Sequence, residues 1–150
     1  MATIRKFEEL KAWQEARKLA HSIFKLYQRP PFSNDYKLVN QINGSSGSIM
    51  DNIAEGFDRN GNKEFIQFLT IAKASLSETK SQLYRALDRE YITKQEFEET
   101  QKDALELGKI IGGLIKYLQN TEYKGTKFKV EENEIEYSSE NKSESSSEQL

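Results

Sequence analysis

Apolar residues recur at steps of three and four along four long segments of this 150-residue chain, which is the spacing of an amphipathic α-helix. The first segment carries the series Phe7, Leu10, Trp13, Ala16, Leu19, Ala20, Ile23, Phe24 and Tyr27. This series predicts one helix of about 22 residues. The helix is expected to end before Pro30 and Pro31, because proline lacks the backbone N–H that a helix needs.

A second helix is predicted to begin near residues 33–35, whose Ser, Asn and Asp side chains are good N-caps, and to continue to Phe57. The run 43–48, with the sequence NGSSGS, lies in its middle, where each glycine costs about 1 kcal/mol relative to alanine. The apolar spacing stays in phase across this run, because Ile42 and Ile49 are two helical turns apart. We therefore predict a continuous helix with a closely packed window of small residues.

Two further helices complete the predicted fold. The third carries the apolar series from Phe65 to Leu87 and follows a turn at residues 60–62. The fourth opens at Thr93, which stands three residues before Glu96 as in a capping box, and continues to Leu118. Four long helices with short connections favour an all-α, up-down-up-down four-helix bundle over residues 1–120.

Residues 121–150 differ in composition from the bundle. They carry four Lys and Arg residues against eight Glu, whereas residues 1–120 carry 18 basic and 16 acidic residues. We predict that this Glu/Ser-rich acidic tail is disordered, because it has few apolar side chains to bury. The chain contains no cysteine, no signal peptide and no 18-residue apolar run, so we expect a cytoplasmic protein without membrane attachment.

The sequence lacks the residue combinations of common active sites. His21 is the only histidine, which excludes the paired Glu-x-x-His motifs of di-iron bundles and leaves a catalytic triad to depend on one residue. The run from Gly56 to Lys63 is close to a phosphate-binding loop, but Asn62 occupies the position of the required lysine. We expect no enzymatic activity, no catalytic residue, no cofactor and no metal ion.

Polar residues border the apolar stripe of the second helix between Ser48 and Asn60. An unpaired buried polar group costs about 1 to 3 kcal/mol, so these side chains need partners. We predict a polar network between helices or between subunits, with Gly56 allowing close approach of the helices. Glu55 and Arg59 are four residues apart and are expected to form an ion pair. The predicted members are Asn52, Glu55, Gly56, Arg59 and Glu78.

Lysines at seven-residue spacing form rows on the first and third predicted helices. They are Lys11, Lys18 and Lys25 on the first helix and Lys73 and Lys80 on the third. Such rows can follow the phosphates of RNA, which makes these five residues candidate RNA contacts. Glu15 lies within four residues of both Lys11 and Lys18, which favours instead a salt-bridged face exposed to solvent.

Three motifs carry a resemblance to a known family. They are Phe7-x-x-Leu10-x-x-Trp13-Gln14, then Ser48-Ile49-x-x-Asn52-Ile53-Ala54-Glu55-Gly56-x-x-Arg59, and Phe65-x-x-Phe68-Leu69-x-Ile71-Ala72-x-x-Ser75-x-x-Glu78. With these motifs the chain resembles the four-helix-bundle proteins first recognised as reading frames within intervening sequences of 23S ribosomal RNA genes. The resemblance extends over residues 5 to 120 and leaves the tail outside.

The resemblance implies a bacterial, non-enzymatic scaffold or adaptor that assembles as a ring, expected to be a homopentamer. A distant relative of this fold, the accessory protein of diversity-generating retroelements, binds a reverse transcriptase and nucleic acid. The alternative function is therefore that of an RNA-binding accessory protein acting with structured RNA or a reverse transcriptase, and the partners expected besides the chain itself are RNA or an RNA-processing protein. Two departures from the family pattern stand out. Members of the family commonly have basic residues shortly after the position of Gln41, whereas residues 43–47 of this chain have none, which lowers the expectation of RNA binding. Ala74 stands where the family usually has a glycine.

Overall fold

The computed structural model describes residues 3–121, so the predicted disordered tail lies outside the described residues except for Thr121. The described part contains four α-helices and no strand, as the sequence predicts. The helices are α1 (Lys11–Tyr27), α2 (Tyr36–Phe57), α3 (Asn62–Asp88) and α4 (Lys94–Gln119). Short 3-10 helices precede α1 at Phe7–Glu9 and α2 at Phe32–Asn34.

Contacts between the helix ends define the topology. Arg29, two residues after α1, bonds to Glu96 near the start of α4, so these two helices run antiparallel. Asn62 at the start of α3 donates to the carbonyl oxygen of Leu118 near the end of α4. Each helix packs against its neighbours in sequence, and α1 also packs against α4. The up-down-up-down bundle is confirmed, with α1 diagonal to α3 and α2 diagonal to α4.

The predicted length of the first helix is wrong, because α1 begins at Lys11 and contains 17 residues. Residues 7–9 form a 3-10 turn, and Leu10 is extended, with φ −71° and ψ 128°. This bend directs Leu10 into the core, where it is 3% exposed, and places the Phe7 ring 5.1 Å from that of Trp13. Apolar spacing alone predicted a single helix because the bent segment also turns its apolar side chains inward.

The prediction of a continuous second helix through the small-residue window is confirmed. Asp35 caps α2 by accepting a hydrogen bond from the backbone N–H of Leu38 at 3.2 Å. Within the window, Ser45 and Ser46 are buried. The hydroxyl of Ser46 donates to the carbonyl oxygen of Ile42 at 2.6 Å, which gives this buried polar group a partner inside its own helix.

The predicted capping box at the start of α4 is also confirmed. Thr93 Oγ1 accepts the Glu96 N–H at 3.1 Å, and Glu96 Oε1 accepts the Thr93 N–H at 2.9 Å. Arg29 adds a bidentate contact to the same carboxylate, at 2.6 and 3.0 Å. These hydrogen bonds, with that of Arg29 the largest cause, lower the pKa of Glu96 to about 2.

Replacement of Glu96 by Gln is expected to lower the free energy of unfolding in a pH-dependent way. The folded-state pKa of Glu96 is about 2, below its ordinary value of 4.5. Its contribution is therefore fully present above about pH 4.5 and is lost as the pH falls toward 2. Urea denaturation of both variants across this range measures the difference. Glu98→Gln is the control, because Glu98 is exposed and its ion pair with Lys94 is long at 4.0 Å. If Glu96→Gln lowered the free energy of unfolding by the same amount at every pH in the acid range, the lowered pKa of Glu96 would be contradicted.

Candidate functional site

A row of polar side chains crosses the interface between α2 and α3. We call it the polar seam, and it consists of Ser45, Ser48, Asn52, Ser75, Thr79 and Gln82. At its most buried point, Thr79 Oγ1 donates to Ser45 Oγ at 2.8 Å. The Ser45 hydroxyl donates in turn to the side-chain oxygen of Gln82, and all three residues are buried. Hydrogen bonds between side chains thus replace contacts to water at the centre of this interface.

The seam continues toward the C-terminal end of α2. The hydroxyls of Ser48 and Ser75 lie 2.9 Å apart. Asn52 Nδ2 donates to both the carbonyl oxygen and the hydroxyl of Ser48, at 2.8 and 2.9 Å. Because serine is small, the two helix backbones approach closely enough for one hydroxyl to reach the other. The seam therefore fixes the register of α2 against α3.

The structure brings together two members of the predicted network directly. Arg59 Nη2 donates to Glu55 Oε1 at 2.9 Å, and both side chains are about half exposed, at 49% and 54%. The Arg59 guanidinium also lies 5.2 Å from the centre of the Phe68 ring. Asn52 bonds to Ser48 one turn earlier on its own helix. The exposed Glu55–Arg59 pair lies at the end of the polar seam and contributes little stability by itself.

The other two predicted residues, Gly56 and Glu78, differ in their burial. Gly56 is buried, and a β-carbon built on it would lie 2.6 Å from Phe68 Cβ and 3.0 Å from the Phe65 ring. Glycine at this position therefore allows close approach of the two helices. Glu78 is exposed on α3, one residue before the buried Thr79.

Sequence reasoning did not identify the partners on α3. Ser75, Thr79 and Gln82 follow one another at helical spacing, which places them on one stripe. Their spacing in the sequence could therefore have predicted a polar stripe beside the apolar series of α3. However, only the packed structure shows that it faces the serines of α2.

The predicted lysine rows do not form one surface. Lys11, Lys18 and Lys25 lie on α1, whereas Lys73 and Lys80 lie on α3, which is diagonal to α1 in the bundle. Lys18 pairs with Glu15 at 3.3 Å, as expected for a salt-bridged face. Binding of RNA by these residues stays a prediction.

A groove of about 730 Å³ follows the first half of α1. We call it the α1 groove, and it is lined by Glu8, Trp13, Gln14, Arg17, Lys18 and His21. The Arg17 guanidinium lies 5.7 Å from the centre of the Trp13 ring, which is the arrangement of a cation–π contact. The groove thus offers an aromatic surface beside two cationic side chains.

Two outward faces of the bundle combine glycine with an exposed aliphatic side chain. The α2–α3 outer face contains Gly44, Gly47 and Asp51 on α2 and Ile71, Ala74 and Glu78 on α3. The α4 outer face contains Lys102, Leu105, Lys109, Gly112 and Lys116. Ile71 is 49% exposed and Leu105 is 52% exposed. Each face therefore presents a large apolar side chain to solvent.

The carboxylates with lowered pKa join helix ends and do not line the α1 groove. A hydrogen bond from Tyr91 is the largest cause of the lowered pKa of Asp35, which also caps α2. Glu96 is held by Arg29 and by its capping box. Among residues 3–121, no group of three or more His, Asp or Glu side chains is arranged to hold a metal ion. These perturbed carboxylates therefore stabilise the bundle ends and form no acid–base pair in a pocket.

Comparison with known proteins identifies the family. The family model described as 23S rRNA-intervening sequence protein matches residues 8–113, a range that contains the polar seam and most of all four helices. The chain belongs to the 23S rRNA-intervening sequence protein family. The resemblance drawn from the sequence motifs is thereby confirmed.

A solved structure supports the same conclusion about the family and its fold. It is the crystal structure of a protein of unknown function from the S23 ribosomal protein family of Bacteroides thetaiotaomicron. The two chains are 30% identical with a TM-score of 0.64, and the match covers 70% of this chain and 98% of that chain. No curated protein matches this chain. None of the helices in residues 3–121 is long and apolar enough to span a membrane.

Within this member of the intervening-sequence family, Gly56→Ala is expected to destabilise the bundle by about 1 to 3 kcal/mol, because the added methyl group overpacks the interface. Its β-carbon would meet Phe68 Cβ, which cannot move without the α3 backbone. Gly108→Ala is the matched control, since its β-carbon would lie an ordinary 3.5 Å from Leu76. Chemical denaturation measures both, and equal effects would contradict the close approach at Gly56.

Removal of the Ser45 hydroxyl tests the polar seam. Ser45→Ala takes the partner from Gln82 and is expected to cost about 1 to 3 kcal/mol, because a buried acceptor is left unpaired. Thr79→Val should lower the free energy of unfolding by less in the Ser45→Ala variant than in the native chain, because the two hydroxyls share one hydrogen bond, which Ser45→Ala has already removed. Ser77→Ala on the exposed side of α3 is the control. Additive effects of the two seam variants, measured by urea denaturation, would rule out this coupling.

Proposed function

We propose that this protein is a non-enzymatic scaffold that assembles into a closed ring of identical chains, with the α2–α3 outer face of one copy packed against the α4 outer face of the next. The observation that carries the proposal is the pair of glycines in the middle of α2. A β-carbon built on Gly44 or Gly47 meets no atom of residues 3–121 within 4 Å, apart from the backbone of its own helix. Packing within one described chain therefore gives no reason for either glycine.

Gly44 and Gly47 lower the stability of α2, and contact with a second copy of the chain would explain why glycine stands at both positions. Each is about 1 kcal/mol less favourable than alanine in a helix. Gly44 and Gly47 are three residues apart, so they lie on one face of α2 and leave a shallow surface there. Close approach of another helix requires such small residues, because longer side chains would hold the backbones apart.

The surroundings of the glycines also favour a protein partner. Gly44 precedes Ser48 by one turn on α2, and Ile71 precedes Ser75 by one turn on α3. Because α2 and α3 run antiparallel, Gly44 and Ile71 lie on opposite sides of the Ser48–Ser75 contact along the bundle. The half-exposed Ile71 therefore extends the same face as the glycines. Full burial of an exposed aliphatic side chain of this size contributes about 1.5 to 3 kcal/mol, so burial of the exposed half of Ile71 contributes about half as much.

The α4 outer face offers cationic side chains to the two carboxylates of the α2–α3 outer face, although Glu98 and Glu106 are exposed within one turn of its lysines. The α2–α3 outer face carries Asp51 and Glu78, whereas the α4 outer face carries a row of three lysines at seven-residue spacing, Lys102, Lys109 and Lys116. Gly112 lies in this row, and among the described residues a β-carbon built on it also meets nothing within 4 Å. Because α2 and α4 are diagonal in the bundle, a contact between these two faces is head-to-tail. Head-to-tail contacts generate a closed ring when the rotation from one copy to the next closes on itself, and the family resemblance implies a ring of five copies.

Binding of structured RNA, or of an RNA-processing protein, is our alternative proposal. The support for it is the exposure of three cationic side chains of α1, Arg17, Lys18 and Lys25, which can contact phosphates. The scaffold is favoured because it also accounts for the glycines of α2.

The combined substitution Gly44→Leu and Gly47→Leu is expected to break the ring without unfolding the chain, because a β-carbon at either position meets no atom of residues 3–121 within 4 Å outside its own helix backbone. Light scattering should show the mass falling from five times the chain mass to the 17.4 kDa of a single chain. Circular dichroism should retain the native helix content.

Ser22→Leu is the matched control, since it adds the same side chain at an exposed position of α1 and should leave the mass unchanged. A native protein that is already a monomer, or a doubly substituted protein that keeps the native mass, would refute the proposed interface.

A further inference from the structure

We propose that residues 131–137 of the C-terminal region bind in the α1 groove of their own chain. This segment has the sequence EENEIEY and follows the last described residue, Thr121, by ten positions. The inference is independent of the scaffold function, because the α1 groove lies on neither of the two proposed assembly faces.

The chemistry of the α1 groove selects an acidic segment that also carries apolar side chains. Trp13 provides an aromatic surface, packed edge-on against Phe7 with the ring centres 5.1 Å apart. Arg17 lies over the Trp13 ring, and Lys18 lines the same groove. The acidic groups nearby are Glu8, which lines the groove, and Glu15, which pairs with Lys18.

The wider charge distribution supports the same occupant. Residues 5–25 carry six Lys and Arg residues against three Glu, so the α1 side of the bundle is basic. Residues 131–148 carry seven Glu and one Lys. Opposite charges on the two segments attract each other over about 10 Å at 0.1 M salt.

Within the C-terminal region, residues 131–137 combine a net negative charge with large apolar side chains. Ile135 and Tyr137 alternate with glutamates there and match the apolar surface of Trp13. Residues 122–130 carry three lysines and one glutamate, so a basic groove repels them. Residues 138–149 contain no aliphatic or aromatic side chain.

The position of Thr121 brings this segment within reach. The Asn62 side chain at the start of α3 donates to the carbonyl oxygen of Thr121 at 2.6 Å, which places Thr121 at the end of the bundle where α3 begins. α1 begins at this same end, and Trp13 lies in its first turn.

The distances are compatible with binding within one chain. Ten residues span up to about 33 Å when extended. Neighbouring helices such as α4 and α1 pack about 8 to 10 Å apart. The groove from Trp13 to His21 covers about 12 Å of helix.

Fluorescence of Trp13 tests the proposal, because it is the only tryptophan of the chain. In the full-length native protein, acrylamide quenching should rise roughly twofold between about 0.05 and 1 M salt, as screening releases the segment. Replacement of Glu131, Glu132, Glu134 and Glu136 by Gln should give the high quenching at every salt concentration.

The matched control replaces Glu140, Glu144 and Glu148 by Gln, which removes three charges outside the proposed binding segment. This control should keep the salt dependence of the native protein. The proposal is overturned if the four-glutamine variant and the native protein show the same quenching at low salt.

A spin label distinguishes binding to the chain's own groove from binding to a neighbour. The chain has no cysteine, so Ser138→Cys carries a single nitroxide in the full-length protein. Broadening of the amide signals of residues 13–21 should persist when the labelled chain is diluted with excess unlabelled chain of natural isotope content. Broadening lost on dilution, centred on another helix or absent would each overturn the proposal.

Discussion

The rest of the structure depends on the close contact between α2 and α3. Buried hydroxyl groups are costly unless they find partners, and Ser45 and Thr79 find each other across this interface. Such short side chains can bond only when the helix backbones approach closely. Gly56 allows the same approach nearer the end of α2, where a β-carbon would collide with Phe68. The polar seam therefore fixes one register of α2 on α3, against which α1 and α4 complete the core.

The polar seam also explains why the small residues of α2 have two different roles. Ser45 and Ser46 face inward and are buried, whereas a β-carbon built on Gly44 or Gly47 meets no atom of residues 3–121 within 4 Å outside its own helix backbone. One short run, residues 43–48, therefore serves packing within the bundle on one side and leaves a shallow outer face on the other. We propose that this outer face binds the next copy of the chain in the ring. The basic α1 side of the bundle is proposed to bind the acidic residues 131–137. The two surfaces are separate, so assembly and binding of the acidic segment can operate independently.

Much of the fold could be predicted from local sequence patterns. The continuous α2, the Thr93 capping box and the four-helix topology all follow from spacing and composition, because they depend on residues close in sequence. The Glu55–Arg59 pair is local in the same sense. The start of the first helix was predicted wrongly, because the bend at Leu10 keeps the apolar side chains inward. The predicted disordered tail lies outside the described residues, except for Thr121.

The sequence by itself determined four amphipathic helices, their order and the family to which the chain belongs, because helix periodicity and short motifs are local properties. The tertiary structure decided which polar residues meet. Arg29 and Glu96 are 67 positions apart, and Ser45 and Thr79 are 34 apart, so no local pattern pairs them. It also showed that Gly44 and Gly47 face open space while Gly56 is enclosed. These glycines look alike in the sequence, and only the packing of α3 against α2 distinguishes them.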